Sequence, residues 1–332
     1  MRWPARAGRG RAGLVVAAVV ALPIGLGGLA VATLAAETPP PVPGATRVLW
    51  GIGDELAPAR GNQLRKAGAA RMVTAWYNGP GDLGWMRQSE AAAAATAYAA
   101  GDAVELVVWL ADHTDYAVGE QFQQDIRTLT RLHKPSGQGH LYIVLFTEFE
   151  TYREGDAAYQ ARLMDAYKKA VTAIHQEYAQ ANVALGFGGY SWDGTHDRDL
   201  SAYRDEIAAS DFTAVQQMQA CDSTEDGKNI VVDKIRSSVR QLGRYGKPVM
   251  ISHFKLWGDP ACQVSAFGKF AGQMFTPRSV AALVHDGLFA WGFMTDHYID
   301  DPGPVRSGAI ERLQRFKALP EPGGNGPTAG MP

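Results

Sequence analysis

Two glutamates two positions apart, Glu148 and Glu150, stand where a strongly apolar stretch ends. Residues 143–146 read Ile-Val-Leu-Phe, which predicts a buried β-strand. Because residues i and i+2 of a strand share a face, both carboxylates are expected to point the same way at its end. Crowding of like charges raises the pKa of one carboxyl, which then stays protonated near neutral pH. The pair therefore predicts general acid–base chemistry.

The spacing of the pair is compatible with more than one reaction geometry. Two residues along a strand span about 6.6 Å between Cα atoms. Carboxyl pairs that hydrolyse glycosides lie about 5–5.5 Å apart for retention of configuration and about 6.5–9.5 Å apart for inversion. Side-chain rotamers allow Glu148 and Glu150 either separation. The structural alternative is that one of them pairs with a cation such as Lys255 and only stabilises the fold.

Eight strand-like segments alternate with helical segments along the chain. The strand-like segments cover residues 47–54, 70–78, 103–112, 140–150, 182–192, 212–219, 247–254 and 288–298. Between the fourth and fifth, residues 156–180 carry apolar side chains at three- and four-residue steps, which is typical of an amphipathic helix. Eight consecutive βα units predict a single (β/α)8 barrel. The first strand is followed by Gly-Ile-Gly without the third glycine of a dinucleotide site, so we predict no cofactor.

The two ends of the chain differ in composition from its body. Four arginines lie among the first eleven residues, and an uncharged, largely apolar run follows them to residue 36. This layout predicts either a cleaved export signal or a retained membrane anchor. Residues 37–45 form a Pro-rich linker, 46–318 the barrel domain and 319–332 a disordered tail. We therefore expect an exported protein, either extracellular or anchored to the outer face of the cytoplasmic membrane.

Charge and cysteine content restrict the partners. The chain has 32 basic and 34 acidic residues, and without the four arginines of the first 36 residues the balance is 28 against 34, or −6. This charge gives no electrostatic reason to expect a nucleic acid as partner. An even number of cysteines in an exported chain predicts a disulfide between Cys221 and Cys262. We expect a monomer.

Polar and aromatic residues follow the ends of the predicted strands, where barrels gather their chemistry. The candidates for substrate binding are Asp54, Trp76, Asn78, Trp109, Asp112, Trp192, Gln217, Gln219, His253, Lys255, Trp257 and His297. Flat aromatic faces beside carboxylates are typical of a sugar site. Asp222 and Asp296 are further candidates for the catalytic pair. The histidines lack the spacing of metal-binding motifs, and no metal is predicted.

An exported barrel with Glu148 at the end of strand four resembles the TIM-barrel glycoside hydrolases of the large retaining clan. Aromatic residues at the ends of strands two, three and eight add to the resemblance. In that clan the acid/base is a glutamate that follows an asparagine at the end of strand four, whereas Thr147 precedes Glu148 here. The resemblance implies that Glu148 is the acid/base. The clan's nucleophile is a glutamate at the end of strand seven, but the residues from 247 onward contain no carboxylate before Asp259.

The same strand end is also similar to that of chitinase-like barrels, whose fourth strand ends in a carboxylate-x-carboxylate pattern. That resemblance implies Glu150 as the acid and Glu148 as the group that orients a substrate acetamido group, with no protein nucleophile. A third arrangement pairs Glu148 with Asp222 or Asp296.

Two classes of function follow from these observations. The first is an exported glycoside hydrolase that acts on a polysaccharide of the cell envelope or surroundings and uses only water and two carboxyl groups. The second is a non-catalytic carbohydrate-binding barrel that lacks a nucleophile. A lyase or transferase on the same fold is a third class.

Overall fold

A closed barrel of eight parallel strands forms the body of the protein. The computed structural model describes residues 47–53, 63–189, 192, 198–222, 230–294, 297–300 and 303–318. The strands are β1 (Leu49–Ile52), β2 (Met72–Tyr77), β3 (Ala103–Val108), β4 (Leu141–Leu145), β5 (Asn182–Gly188), β6 (Thr213–Ala220), β7 (Val249–Trp257) and β8 (Leu288–Phe293). Each strand pairs with the next one along the chain, and β8 closes the barrel on β1.

Helices lie between the strands and cover the barrel. They are α1 (Gln63–Lys66), α2 (Leu83–Trp85), α3 (Ala91–Ala99), α4 (Thr114–Ala117), α5 (Glu120–His133), α6 (Ala157–Glu177), α7 (Arg204–Ala209), α8 (Ile230–Gly243), α9 (Pro260–Met274), α10 (Pro277–His285), α11 (His297–Asp300) and α12 (Pro304–Arg315). The longest, α6, begins at Asp156, whose carboxylate accepts a hydrogen bond from the Tyr159 backbone N–H. The predicted (β/α)8 architecture and all eight predicted strands are confirmed.

Strand residues alternate between two apolar layers because successive side chains point to opposite faces. The inner layer fills the barrel with side chains such as Met72, Tyr142 and Phe212. The outer layer packs the strands against the helices and contains residues such as Ile143 and Phe254. Polar side chains that reach the interior therefore stand out against an apolar background.

One extra residue interrupts the regular pairing of β7. Val215 of β6 pairs with Ile251, but the next residue, Gln216, pairs with His253, so Ser252 is the additional residue. Bulges of this kind bend a strand and redirect side chains next to active sites. Here the bulge turns both Ser252 and His253 toward the barrel interior, although they are adjacent in sequence.

Cys221 and Cys262 form a disulfide, with their Cα atoms 5.7 Å apart. It joins the end of β6 to α9, and the disulfide predicted from the sequence is present. Residues 1–36, 37–45 and 319–332, for which an export segment, a linker and a tail are predicted, lie outside the described residues. Within the part of the chain that the structure describes, no helix is long and apolar enough to cross a membrane.

Candidate functional site

Glu148 lies on a strained turn that directly follows β4. The strand ends at Leu145, and both Phe146 and Glu148 then adopt left-handed backbone conformations, with φ of 53° and 59°. Residues other than glycine rarely adopt this conformation, and its cost is found mostly at functional sites. Residues 149–151 form one turn of 3₁₀-helix that carries Glu150. The prediction that both glutamates extend the strand is therefore wrong, because the chain turns before it reaches them.

Several contacts fix this turn. The Glu148 backbone N–H donates to the Gly186 carbonyl of β5 at 3.0 Å. The Tyr152 hydroxyl donates to the Thr147 carbonyl at 3.1 Å and accepts from the Leu110 backbone N–H at 2.6 Å. Gly186 leaves the turn its space, since a Cβ there would lie 2.8 Å from the Cα atom of Thr147. The surrounding structure thus holds Glu148 in a costly conformation.

The carboxyl of Glu148 is half-buried and its pKa is raised. Burial is the main cause, and the neighbouring charge of Glu150 adds to the rise. The side chains of Gln216 and Trp109 interact with the carboxyl and partly offset this rise in pKa. Among the residues that the structure describes, the amide nitrogen of Gln216 has no hydrogen-bond partner. A carboxyl with a raised pKa beside an indole and an amide is suited to donate a proton.

Glu150 has a different environment. Both of its carboxylate oxygens lie 3.2 Å from the Gly188 backbone N–H, and Oε1 lies 2.8 Å from the Arg198 guanidinium. That guanidinium lies over the rings of Trp192, at 4.9 Å, and Phe187, at 5.8 Å. Burial raises the pKa of Glu150, and the charge of Arg198 partly offsets the rise. Glu150 is therefore engaged by the protein itself, whereas Glu148 has no cationic partner of this kind among the contacts of the described residues.

A buried carboxyl below the site was not recognised from the sequence. Glu105, in the middle of β3, is completely buried, and its oxygens lie 2.9 Å from Thr74 Oγ1 and 2.7 Å from Ser252 Oγ. Burial raises the pKa of Glu105 to about 7, although both hydroxyls lower it. Thr74 Oγ1 also lies 2.9 Å from the Ile52 carbonyl. Since a hydroxyl has one proton, a protonated Glu105 that donates to Thr74 satisfies both contacts. The one acidic residue within Ala-Val-Glu-Leu-Val-Val was the available signal.

We expect stability to depend on the protonation of Glu105. The folded-state pKa of about 7 exceeds the ordinary value of 4.5, so the contribution is fully present below pH 4.5 and is lost as pH rises through 7. The shift corresponds to about 3 kcal/mol. Thermal unfolding at pH 5 and pH 8 should show a larger fall in Tm for the wild type than for Glu105→Gln. The exposed Glu154→Gln variant should behave as the wild type, and identical pH dependence in all three proteins would contradict the assignment.

The rings of His253 and Trp76 lie against each other at the base of the site, with their planes inclined by 37°. Their ring centroids lie 4.3 Å apart, and the Trp76 indole N–H donates to the Gly53 carbonyl at 2.7 Å. His253 is completely buried, and burial lowers its pKa to about 3. The imidazole is therefore neutral at physiological pH. Its Nδ1 lies 2.9 Å from Ser252 Oγ, which connects it to the buried Glu105.

Three predicted binding residues do not reach the barrel mouth. Gln219 Oε1 accepts a hydrogen bond from Lys234 of α8 at 3.5 Å, so it faces the helices, and Gln217 shares that face by strand alternation. Trp192 is 1% exposed and lies against Arg198. The amide at the mouth is that of Gln216, which the predicted set does not include. Choosing between alternate positions requires the register of β6 against its neighbours, and the sequence does not provide it.

Three further candidates follow the carboxyl ends of strands. Asn78 is half-buried after β2, while Asp112 and Asp222 are exposed after β3 and β6. Asp54 and Asp296 lie outside the described residues, and His297 is described only as the first residue of α11. Within the described ranges, no three His, Cys, Asp or Glu side chains come together as a metal site would require.

The fold and the site together define the protein as a (β/α)8 barrel with an acidic residue presented at the carboxyl end of β4. No protein-family model matches the sequence, and no curated protein matches it. Similarity is found only with solved structures.

The solved structures that the chain resembles include several glycoside hydrolases. A double mutant of the endo-β-1,4-mannanase of Cellulomonas fimi is 14% identical, with a TM-score of 0.57, over 82% of this chain and 71% of that one. The GH26 β-mannanase of Bacteroides ovatus is 9% identical, with a TM-score of 0.56, over 82% and 88%. The GH53 catalytic domain of Ignisphaera aggregans is 15% identical, with a TM-score of 0.54, over 84% and 99%. At these identities the similarity establishes the fold, and it confirms the architectural resemblance predicted from the sequence.

Proposed function

We propose that the protein is an exported glycoside hydrolase that cleaves a polysaccharide. The observation that carries the proposal is Glu148, a half-buried carboxyl with a raised pKa, held on a strained turn at the end of β4. The mannanases among the similar structures have the same fold, and this supports glycoside hydrolysis as the proposed chemistry. Trp109, which interacts with the Glu148 carboxyl, and Trp76 are half-buried aromatic residues at the same end of the barrel.

In this proposal Glu148 is the general acid. It transfers its proton to the glycosidic oxygen as the bond to the sugar breaks, and water supplies the hydroxyl of the new reducing end. Glu150 is held by Arg198 and the Gly188 N–H, so its role is to raise the pKa of Glu148 by its charge. This favours Glu148 over Glu150 as the acid, the reverse of the chitinase-like assignment.

The second carboxyl group comes from another loop. β7 carries a neutral, buried histidine as it enters the barrel mouth, and no residue of β7 is acidic. We therefore propose that Asp222 or Asp296, which follow β6 and β8, activates the attacking water. This is a single displacement rather than the double displacement of the retaining clan.

Export is proposed from the N-terminal segment together with the disulfide. Bonded cysteines are typical of oxidising compartments, and Cys221–Cys262 agrees with an extracellular or membrane-anchored location. A soluble or cell-envelope polysaccharide is then within reach of the barrel mouth, and the protein acts as a monomer.

One observation favours a second candidate function. The neutral His253 at the base of the mouth suits a barrel that binds carbohydrate without cleaving it. In that case Trp76 and Trp109 provide a stacking surface, and the raised pKa of Glu148 has no catalytic consequence.

The test is the release of reducing ends by the full chain from β-mannan, xyloglucan and isolated cell-envelope polysaccharides. Release without formation of an unsaturated sugar end establishes a hydrolase, as distinct from a lyase, and identifies its substrate. Affinity electrophoresis in gels that contain the same polymers measures binding in parallel. Retardation without release would support the carbohydrate-binding alternative, and the absence of both would reject the two proposals together.

A further inference from the structure

The end of β7 carries an exposed tryptophan above the barrel mouth. β6 and β7 are the longest strands, and their pairing continues to Ala220 and Trp257. The side chain of Trp257 is 54% exposed. A tryptophan in this position loses the free energy that burial of its ring would contribute.

The direction of this side chain follows from strand alternation. Phe254 and Leu256 pack in the outer layer against the helices. Lys255 and Trp257 alternate with them and therefore lie on the face toward the barrel axis, beyond His253. Trp257 lies four positions beyond His253 along the strand, which corresponds to about 13 Å between their Cα atoms. Trp257 thus lies on the same wall of the mouth as the His253–Trp76 pair, well above it.

The backbone at Trp257 is unusually well fixed. The Trp257 carbonyl accepts a hydrogen bond from the Cys221 N–H at 2.9 Å, and Cys221 is bonded to Cys262. Gly258 follows with φ of 135°, and a Cβ there would lie 2.7 Å from Cys221 Sγ. The buried Gln263 donates to the Gly258 carbonyl at 2.9 Å. A ligand that stacks on an exposed ring at a fixed backbone position does not have to order that backbone.

We propose that Trp257 is an outer sugar-stacking platform, which makes long polysaccharide chains, rather than disaccharides, the substrates of this site. A chain that passes Glu148 and continues along the inward face of β7 meets the indole after more than one sugar ring. The inference rests on the proposed function and adds the chain-length class of the substrate. A glycan is favoured over a protein partner because only two other large apolar side chains of the described residues are exposed, Trp85 in α2 and Val305 in α12, and the strand neighbour on the same face, Lys255, is charged.

The experiment compares Trp257→Ala, Trp257→Phe and the wild-type full chain on β-mannan and on manno-oligosaccharides of two to six units. Xyloglucan and its oligosaccharides replace them if xyloglucan is the polymer that the wild type cleaves. We expect the KM for the polymer to rise about tenfold in Trp257→Ala, since stacking on an aromatic ring contributes that much. The kcat/KM for the shortest cleaved oligosaccharide should stay unchanged, and phenylalanine should restore most of the polymer affinity. Val305→Ala, which truncates another exposed apolar side chain, is the matched control.

The outcomes separate this inference from the proposed function. If the wild type cleaves the polymer and Trp257→Ala has the same KM, the proposed stacking role of Trp257 is wrong and the proposed hydrolase function stands. An equal loss on short and long substrates would also overturn that stacking role. A wild type that neither binds nor cleaves any polymer would reject the proposed function and, with it, this inference. In the Cys221→Ser/Cys262→Ser variant the polymer KM should be about threefold higher, with unchanged turnover of the shortest oligosaccharide. The reason is that the backbone at Trp257 is then no longer fixed by the disulfide.

Discussion

Glu148→Gln is expected to reduce polysaccharide hydrolysis by about 10²–10⁴-fold in kcat, with little change in KM. Glutamine preserves the shape of the side chain on the strained turn but has no proton to transfer to the leaving oxygen. The loss should nearly disappear on an aryl glycoside with a nitrophenol leaving group, because such a leaving group departs without protonation. Steady-state rates on the polymer and on the aryl glycoside measure the two effects.

Glu150→Gln is the matched comparison two residues away. Its side chain is held by Arg198, so its removal should lower stability and leave most of the acid-dependent rate. An inactive Glu150→Gln beside an active Glu148→Gln would reverse the two roles and support the chitinase-like assignment. Comparable activity of both variants and the wild type on the polymer would show that neither carboxyl is the acid.

Arg198→Met should cause one of the largest losses of stability available from a single substitution, about 3 kcal/mol. The pair is largely buried, with 16% of the arginine side chain and 10% of the glutamate side chain exposed. Removing one partner leaves the other charge buried and unpaired, which typically costs about 3–5 kcal/mol. The cation–π contacts with Trp192 and Phe187 are lost as well. Urea denaturation at pH 7 gives the free energy of unfolding directly.

The pH dependence of this variant provides a check on the cause. The pKa of Glu150 is already raised by burial, and loss of Arg198 raises it further. The native variant then keeps its proton to a higher pH than the native wild type does, so the deficit relative to the wild type grows as pH rises above the folded-state pKa of Glu150 in the wild type and shrinks in acid. Adding Glu150→Gln should recover most of the stability. Arg153→Met, which breaks an exposed pair with Asp115, should cost at most about 1 kcal/mol.

Sequence patterns were sufficient for the barrel because its strands are continuous runs of branched and aromatic residues between turn formers. The end of β4 was placed too late, since nothing in Phe-Thr-Glu indicates that two of these residues adopt left-handed conformations. Glu148 was nevertheless identified correctly as lying at the strand's carboxyl end, which depends only on the order of elements.

Contacts between distant parts of the chain could not be predicted from the sequence. The pairing of Glu150 with Arg198 joins residues 48 positions apart, and Glu105 meets Ser252 across 147 positions. Which glutamine of β6 faces the mouth depends on strand register, which is set by packing against β5 and β7. The disulfide was predictable because the chain contains only two cysteines.

The bulge at Ser252 has a consequence for how this protein can change through evolution. Because Ser252 is the extra residue, loss of its codon would restore regular alternation, and Lys255 and Trp257 would still face the mouth while Phe254 and Leu256 faced the helices. Loss of a codon beyond the bulge, at Lys255 for example, would instead exchange the faces of the residues that follow it. Relatives without the bulge therefore align correctly only with a gap at Ser252, because an alignment without that gap matches binding positions to packing positions.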